Sequence, residues 1–143
     1  MTGLIDMPAA PVSDGEPNKE TILMVEDNAE VRVMGEALLH DAGFSVHTAT
    51  DAAEALAMVE AGLEFDLLFT DIVMPGALDG LGLAAEVARL RPGIPVLLTT
   101  GWADRAREQV DQSFGTELIA KPYRQADLVR QIRRLLNPGA AGF

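Results

Sequence analysis

The chain has 143 residues, enough for one domain with an ordinary core. Apolar residues make up 48% and charged residues 23%, which sets it apart from disordered chains, and no apolar run approaches the roughly 20 residues of a membrane helix. A net charge of −11 argues against phosphate backbones as ligands, and the lack of cysteine removes disulfides, thiolate metal sites and cysteine nucleophiles.

Residues 1–19 hold Pro8, Pro11 and Pro17 with Gly3 and Gly15 and show no sustained period, so a flexible leader is expected. They lack the basic and apolar regions of a signal peptide, and with no cysteine in the chain a cytoplasmic location is expected. "TILMV" (21–25) is a continuous apolar run, the pattern of a strand buried on both faces. Asn28 to about Ala42 reads as a helix with Val31, Met34 and Leu38 on its apolar face and Gly43 as its stop. "FSVHT" (44–48) is the second strand. Asp51 and Glu54 then form a capping-box pattern, opening a helix with Ala52, Ala55, Leu56 and Val59 on one face. "DLLFT" (66–70) is the third strand. Leu83, Val87 and Leu90 mark a helix closed by Pro92-Gly93, and "PVLLTT" (95–100) is the fourth strand. A weaker helix covers roughly Ala103 to Gln112, and "ELIAK" (117–121) is the fifth strand. Leu128, Ile132 and Leu135 define the last helix, ended by Pro138-Gly139.

Five strand–helix units in strict alternation imply an α/β fold: a doubly wound parallel sheet with helices on both faces and right-handed crossovers. The flavodoxin-like order 2-1-3-4-5 suits this length, with residues 20–137 as the domain and 138–143 as a flexible tail. In such sheets ligands lie beyond the carboxyl ends of the strands. Strand one ends there in Glu26-Asp27, strand three in Asp71, strand four in Thr99-Thr100-Gly101 and strand five in Lys121-Pro122.

Each residue type at that edge has a chemical use. Clustered carboxylates repel one another unless protons or a hard cation neutralise them, and Mg²⁺ suits oxygen ligands in an octahedron. A carboxylate can also attack phosphorus to give an aspartyl phosphate. A lysine ammonium and a threonine hydroxyl can then stabilise the added charge. Taken singly, these residues are also ordinary helix starts, turns and strand ends. Their conjunction at four strand ends is what points to a site.

The motifs "VEDN" (25–28), "DIVMPGALDG" (71–80), "LLTTGWA" (97–103) and "AKPY" (120–123) together resemble a response-regulator receiver domain of two-component signalling, over about Thr21 to Asn137. The resemblance implies that Asp71 is the phosphoacceptor and that Glu26, Asp27, Asp71 and the Val73 backbone carbonyl hold Mg²⁺, with Mn²⁺ as a substitute. It implies contact of Thr100 and Lys121 with the phosphoryl group and a cis Lys121–Pro122 bond. It further implies a sensor histidine kinase or histidine phosphotransfer protein as donor and a conformational change at the surface of the fourth helix, fifth strand and last helix. It implies a protein as downstream target, without nucleic acid or membrane, for either a single-domain or a hybrid-kinase-type receiver. No DNA-binding output domain is expected after Phe143.

Three departures from the family pattern carry information. "MPGALDG" has one residue more between Pro75 and Asp79 than the commoner loop, so local divergence is expected there. Leu118 stands where many receivers carry an aromatic that swings inward, which leaves Trp102 as the nearest aromatic for that duty. Val73 and Trp102 flank the path of an attacking water and cannot orient it, so slow self-dephosphorylation is expected. His40 and His47 lie away from the acidic edge and read as structural or surface residues. Two rival functions differ in kind. An aspartyl-phosphate phosphatase related to haloacid dehalogenases would need a second aspartate where Val73 stands, and a phosphate-independent interaction module would not need the complete residue set. Self-phosphorylation and self-dephosphorylation are therefore the expected chemistry, without turnover of a substrate.

Overall fold

The structure is a computed structural model that describes residues 19–101 and 116–137. Five parallel strands, β1 (Thr21–Val25), β2 (Ser45–Ala49), β3 (Leu67–Asp71), β4 (Val96–Thr100) and β5 (Thr116–Ala120), form one sheet in the order β2-β1-β3-β4-β5. Four helices are seen among the described residues: α1 (Ala29–Asp41), α2 (Ala52–Glu60), α3 (Gly80–Leu90) and α4 (Gln125–Leu136). The expected helix from Ala103 to Gln112 lies outside the described residues, as does Trp102.

The central strands are uninterrupted apolar runs because both faces are covered. Along β1 and β3, alternate side chains serve two cores. Leu23, Val25 and Leu68 join Ala52, Ala55 and Val59 of α2 and Leu83 and Val87 of α3. Ile22, Met24, Leu67 and Phe69 join Leu39 of α1 and Leu128 and Ile132 of α4. The strand limits move by a residue from expectation. β3 includes Asp71 as its last residue, and β5 stops at Ala120, which leaves Lys121 just beyond it.

Asp51 caps α2 as its sequence signal indicates, and Asn28 and Asp79 cap α1 and α3 in the same way. Asn28 accepts the Val31 N–H at 2.9 Å, Asp51 that of Glu54 at 2.8 Å and Asp79 that of Gly82 at 2.9 Å. The capping box differs in one detail. The Glu54 carboxylate takes the N–H and hydroxyl of Thr50, at 2.7 and 2.8 Å, rather than the N–H of the cap residue.

The face of α1 is corrected by the structure. Val31, Met34 and Leu38 are not its core stripe. Gly35 and Leu39 are buried, whereas Met34 is 54% exposed and Val33 64%. The apolar positions of this helix allow two phases, and the phase adopted turns the residue without a side chain toward the side chains of Met24 and Tyr123.

Candidate functional site

Asp71 and Thr100 end their strands, Glu26 and Lys121 sit one step beyond theirs, and backbone bonds hold this edge. The Glu26 N–H donates to Ala49 O at 3.1 Å, the Ile72 N–H to Thr99 O at 3.0 Å and the Lys121 N–H to Thr100 O at 2.8 Å. Pairing of Val25 with Thr70 on neighbouring parallel strands then brings Glu26 alongside Asp71. A carboxylate oxygen from each of Glu26, Asp27 and Asp71 lies within 4.8 Å of the others. Glu26 and Asp71 are buried and Asp27 is exposed, so the cluster opens to solvent on one side.

Lys121 completes the cluster. Its Nζ donates to Asp71 Oδ2 at 3.0 Å and lies 3.0 Å from Glu26 Oε1 as an ion pair. The hydrogen-bond geometry favours Asp71, and Glu26 Oε1 is left without an aligned donor. Glu26 Oε2 accepts the Asn28 N–H at 3.1 Å. Burial raises the Glu26 carboxyl above its ordinary range, with the Lys121 ammonium opposing. Burial pulls the Lys121 ammonium down, but the adjacent carboxylates of Asp71 and Glu26 outweigh that and its pKa is raised. Three carboxylates against one ammonium leave an excess of negative charge. That excess, together with a buried carboxylate oxygen lacking a donor, is a donor set that fits Mg²⁺ or its bound water.

The other expected residues fall in different places. Thr100 is buried at the end of β4, where its hydroxyl donates to Gly101 O at 3.4 Å. Val73 is 59% exposed just past Asp71. Leu118 packs half-buried against the core shared with α2 and α3. Pro122 is exposed, and the Lys121–Pro122 bond is cis. His40 is exposed beside Glu36, and His47 is exposed on the edge strand β2. In the longer loop, Leu78 packs into the same core as Leu83, an arrangement resembling a hydrophobic staple around the Asp79 cap.

Sequence reasoning gave no role to Arg32, Gly80, Gly35 or Tyr123. Arg32 Nη1 donates to the Glu26 backbone oxygen at 2.9 Å. Gly80 donates its N–H to Ile72 O at 2.8 Å and lies so close to the Asp71 carbonyl that no side chain fits. A glycine at the first position of a helix, where ordinary side chains are well tolerated, was the available signal.

The family described as response regulator receiver domain matches residues 22–133. The chain belongs to that family. It is 34% identical over 121 residues to sensor kinase CckA of Brucella abortus (strain 2308), covering 82% of this chain and 12% of the kinase. It is 32% identical over 116 residues to response regulator receiver protein CpdR of the same organism, covering 80% of this chain and 95% of that protein. A crystal structure of a receiver protein from Sinorhizobium medicae WSM419 superposes with a TM-score of 0.76 at 28% identity, covering 85% of this chain and 98% of that one. Receiver domains are signalling modules of two-component systems, generally without turnover of a substrate. Receivers bind Mg²⁺ at an acidic pocket and interact with histidine kinases or phosphotransfer proteins. No described helix is long and apolar enough to cross a membrane.

Proposed function

We propose that Asp71 of this receiver accepts a phosphoryl group from the phosphohistidine of a sensor kinase or phosphotransfer protein. The observation that carries this reading is the contact of Lys121 Nζ with Asp71 Oδ2 beside the carboxylates of Glu26 and Asp27. An Asp71 oxygen attacks phosphorus in line. A P–O bond forms as the donor's P–N bond breaks, and the bonding pair leaves on the imidazole nitrogen. Lys121 supplies a fixed positive charge to the incoming oxygens, and Thr100 a hydroxyl donor.

In this reading Glu26, Asp27, Asp71 and the Val73 carbonyl hold Mg²⁺, or Mn²⁺ in its place, and the ion supplies further positive charge to the transferring group. Residues 20–137 form the signalling unit, with 1–19 and 138–143 as its leader and tail. The output is a change in the surface built from β5, α4 and the helix expected over 103–112, passed to a protein target in the cytoplasm. Val73 and Trp102 make the phosphoryl group long-lived.

The test is incubation with Mg²⁺ and acetyl phosphate, with wild type and Asp71→Asn compared on a phosphate-affinity gel. Label on the wild type alone is expected. Equal labelling of both would remove Asp71 from this role.

A further inference from the structure

Tyr123 lies against the supports of the acidic cluster rather than in it. Its ring meets Phe69 edge-on, with centroids 5.6 Å apart at 63°. Phe69 precedes Asp71 by two residues on the same face of β3, and its register partner Met24 precedes Glu26 by two on β1. Tyr123 itself follows Lys121 by two. One ring therefore packs beside the strand segments that position the Lys121 ammonium and the two carboxylates it joins.

The hydroxyl end of that ring faces α1. It is shielded from solvent and has no hydrogen-bond partner among the described residues. A methyl group on Gly35 would lie 3.0 Å from the Tyr123 hydroxyl oxygen and 3.1 Å from Met24 Sδ, and would collide with Met24 Cε. Gly35 needs no unusual backbone conformation, and mid-helix glycine is a weak choice beside alanine. Its physical use is clearance. Of its two neighbours, the end of Met24 can swing aside, whereas the Tyr123 ring is held against Phe69. A side chain at position 35 would therefore press on Tyr123.

We propose that Tyr123 is a positioning residue for phosphoryl acceptance, seated by the clearance that Gly35 leaves in α1. The inference rests on the reading of Asp71 as phosphoacceptor and Lys121 as its counter-charge. Tyr123 touches no reacting atom. It acts through the backbone that joins it to Lys121, whose Nζ must stay within hydrogen-bond reach of Asp71. It also ties α1, which begins two residues after Asp27, to the residue that neutralises the phosphoryl group.

The experiment measures the rate at which acetyl phosphate labels Asp71 in saturating Mg²⁺, with Mg²⁺ affinity by calorimetry and melting temperature on the same samples. Gly35→Ala is expected to label about tenfold more slowly, a fraction of the loss that a 1 Å misplacement can cause. Tyr123→Phe alone should stay within about twofold of wild type, and Gly35→Ala with Tyr123→Phe should return to that level, because the hydroxyl that is pressed is gone. Tyr123→Leu, which removes the ring without crowding, should be slowed about tenfold as well and carries the test if Gly35→Ala does not fold. Mg²⁺ affinity should hold throughout, whereas general loosening would weaken it along with the rate. Wild-type labelling by Gly35→Ala or by Tyr123→Leu, or slowing that Tyr123→Phe does not relieve, would overturn the proposal. A wild type that takes no label would overturn the reading of Asp71 itself and the inference with it.

Discussion

Lys121 and Asp71, fifty positions apart in the chain, meet at 3.0 Å across the carboxyl edge of the sheet. The ammonium is held by two buried carboxylates and is the one cation in contact with them among the described residues. Replacing it with an uncharged side chain of similar length removes charge stabilisation without opening a large cavity. Lys121→Met is expected to slow labelling of Asp71 by about a hundredfold or more, the range seen for loss of one preorganised stabilising group. Mg²⁺ binding should not weaken, because the substitution takes a positive charge away from the carboxylates. Labelling rates and calorimetry on the same variant check both halves.

The excess negative charge predicts a metal-dependent stability. A cation that binds the folded state at a hundred times its dissociation constant adds about 2.7 kcal/mol, a rise in melting temperature on the order of 10 °C for a domain of this size. Asp27 is the exposed member of the cluster, so Asp27→Asn should cost little without metal and lose most of the rise. Thermal melts in Mg²⁺ and in chelator test this, and a full rise in Asp27→Asn would place the cation elsewhere.

Gly80 and Gly35 make opposite predictions for the same substitution. A methyl group on Gly80 would strike the backbone oxygen of Asp71 and lie 2.7 Å from Ile72 Cα, and neither atom can move without shifting the loop after β3. Gly80→Ala is expected to destabilise by about 2–3 kcal/mol, in the range of overpacked cores. Gly35→Ala meets the flexible end of Met24 and, at 3.0 Å, the Tyr123 hydroxyl, and it gains helix propensity in return, so its stability should change by less than about 1 kcal/mol. Urea midpoints of the two variants give the comparison.

Val73 tests the expected long life of the phosphoryl group. Its side chain is exposed next to Asp71 and offers no polar atom to a water. Val73→Glu places an acceptor there and is expected to shorten the lifetime of the label about tenfold, at the low end of what positioned acid–base groups contribute. The decay of label on a phosphate-affinity gel after removal of donor measures it. Equal lifetimes would show that Val73 does not govern access of water.

The fold was legible because its signals were redundant. β1, β3 and β4 are built on short apolar runs, and Asp51 with Glu54 marks the start of the helix that follows β2. The acidic edge was legible for a different reason: parallel topology sends every strand's carboxyl end to the same side, so Glu26, Asp71 and Lys121 could be brought together on paper. The phase of α1 was not legible, since Val31, Val33, Met34, Leu38 and Leu39 support two stripes and the choice depends on how closely the helix approaches Met24 and Tyr123. The roles of Gly35 and Gly80 were hidden for the same reason. Each is defined by what a missing side chain would hit, and those neighbours are distant in sequence.

The same burial predicts the alkaline behaviour of the chain's single tyrosine. Burial chiefly, and then the negative charge of Glu26, pushes the Tyr123 phenol up from 10 to about 12. The neutral form is therefore favoured in the folded state. The stability this confers is complete below pH 10 and is lost as pH rises through about 12. Tyrosinate absorbance in native buffer should titrate near 12, and in denaturant near 10. Tyr123→Phe should remove the corresponding loss of stability between those values while leaving the neutral-pH melting temperature close to wild type, because the hydroxyl has no partner to lose. A native midpoint near 10 would mean that water reaches the hydroxyl, and the packing of Tyr123 against α1 at Gly35 would then be too loose to hold Lys121 in place.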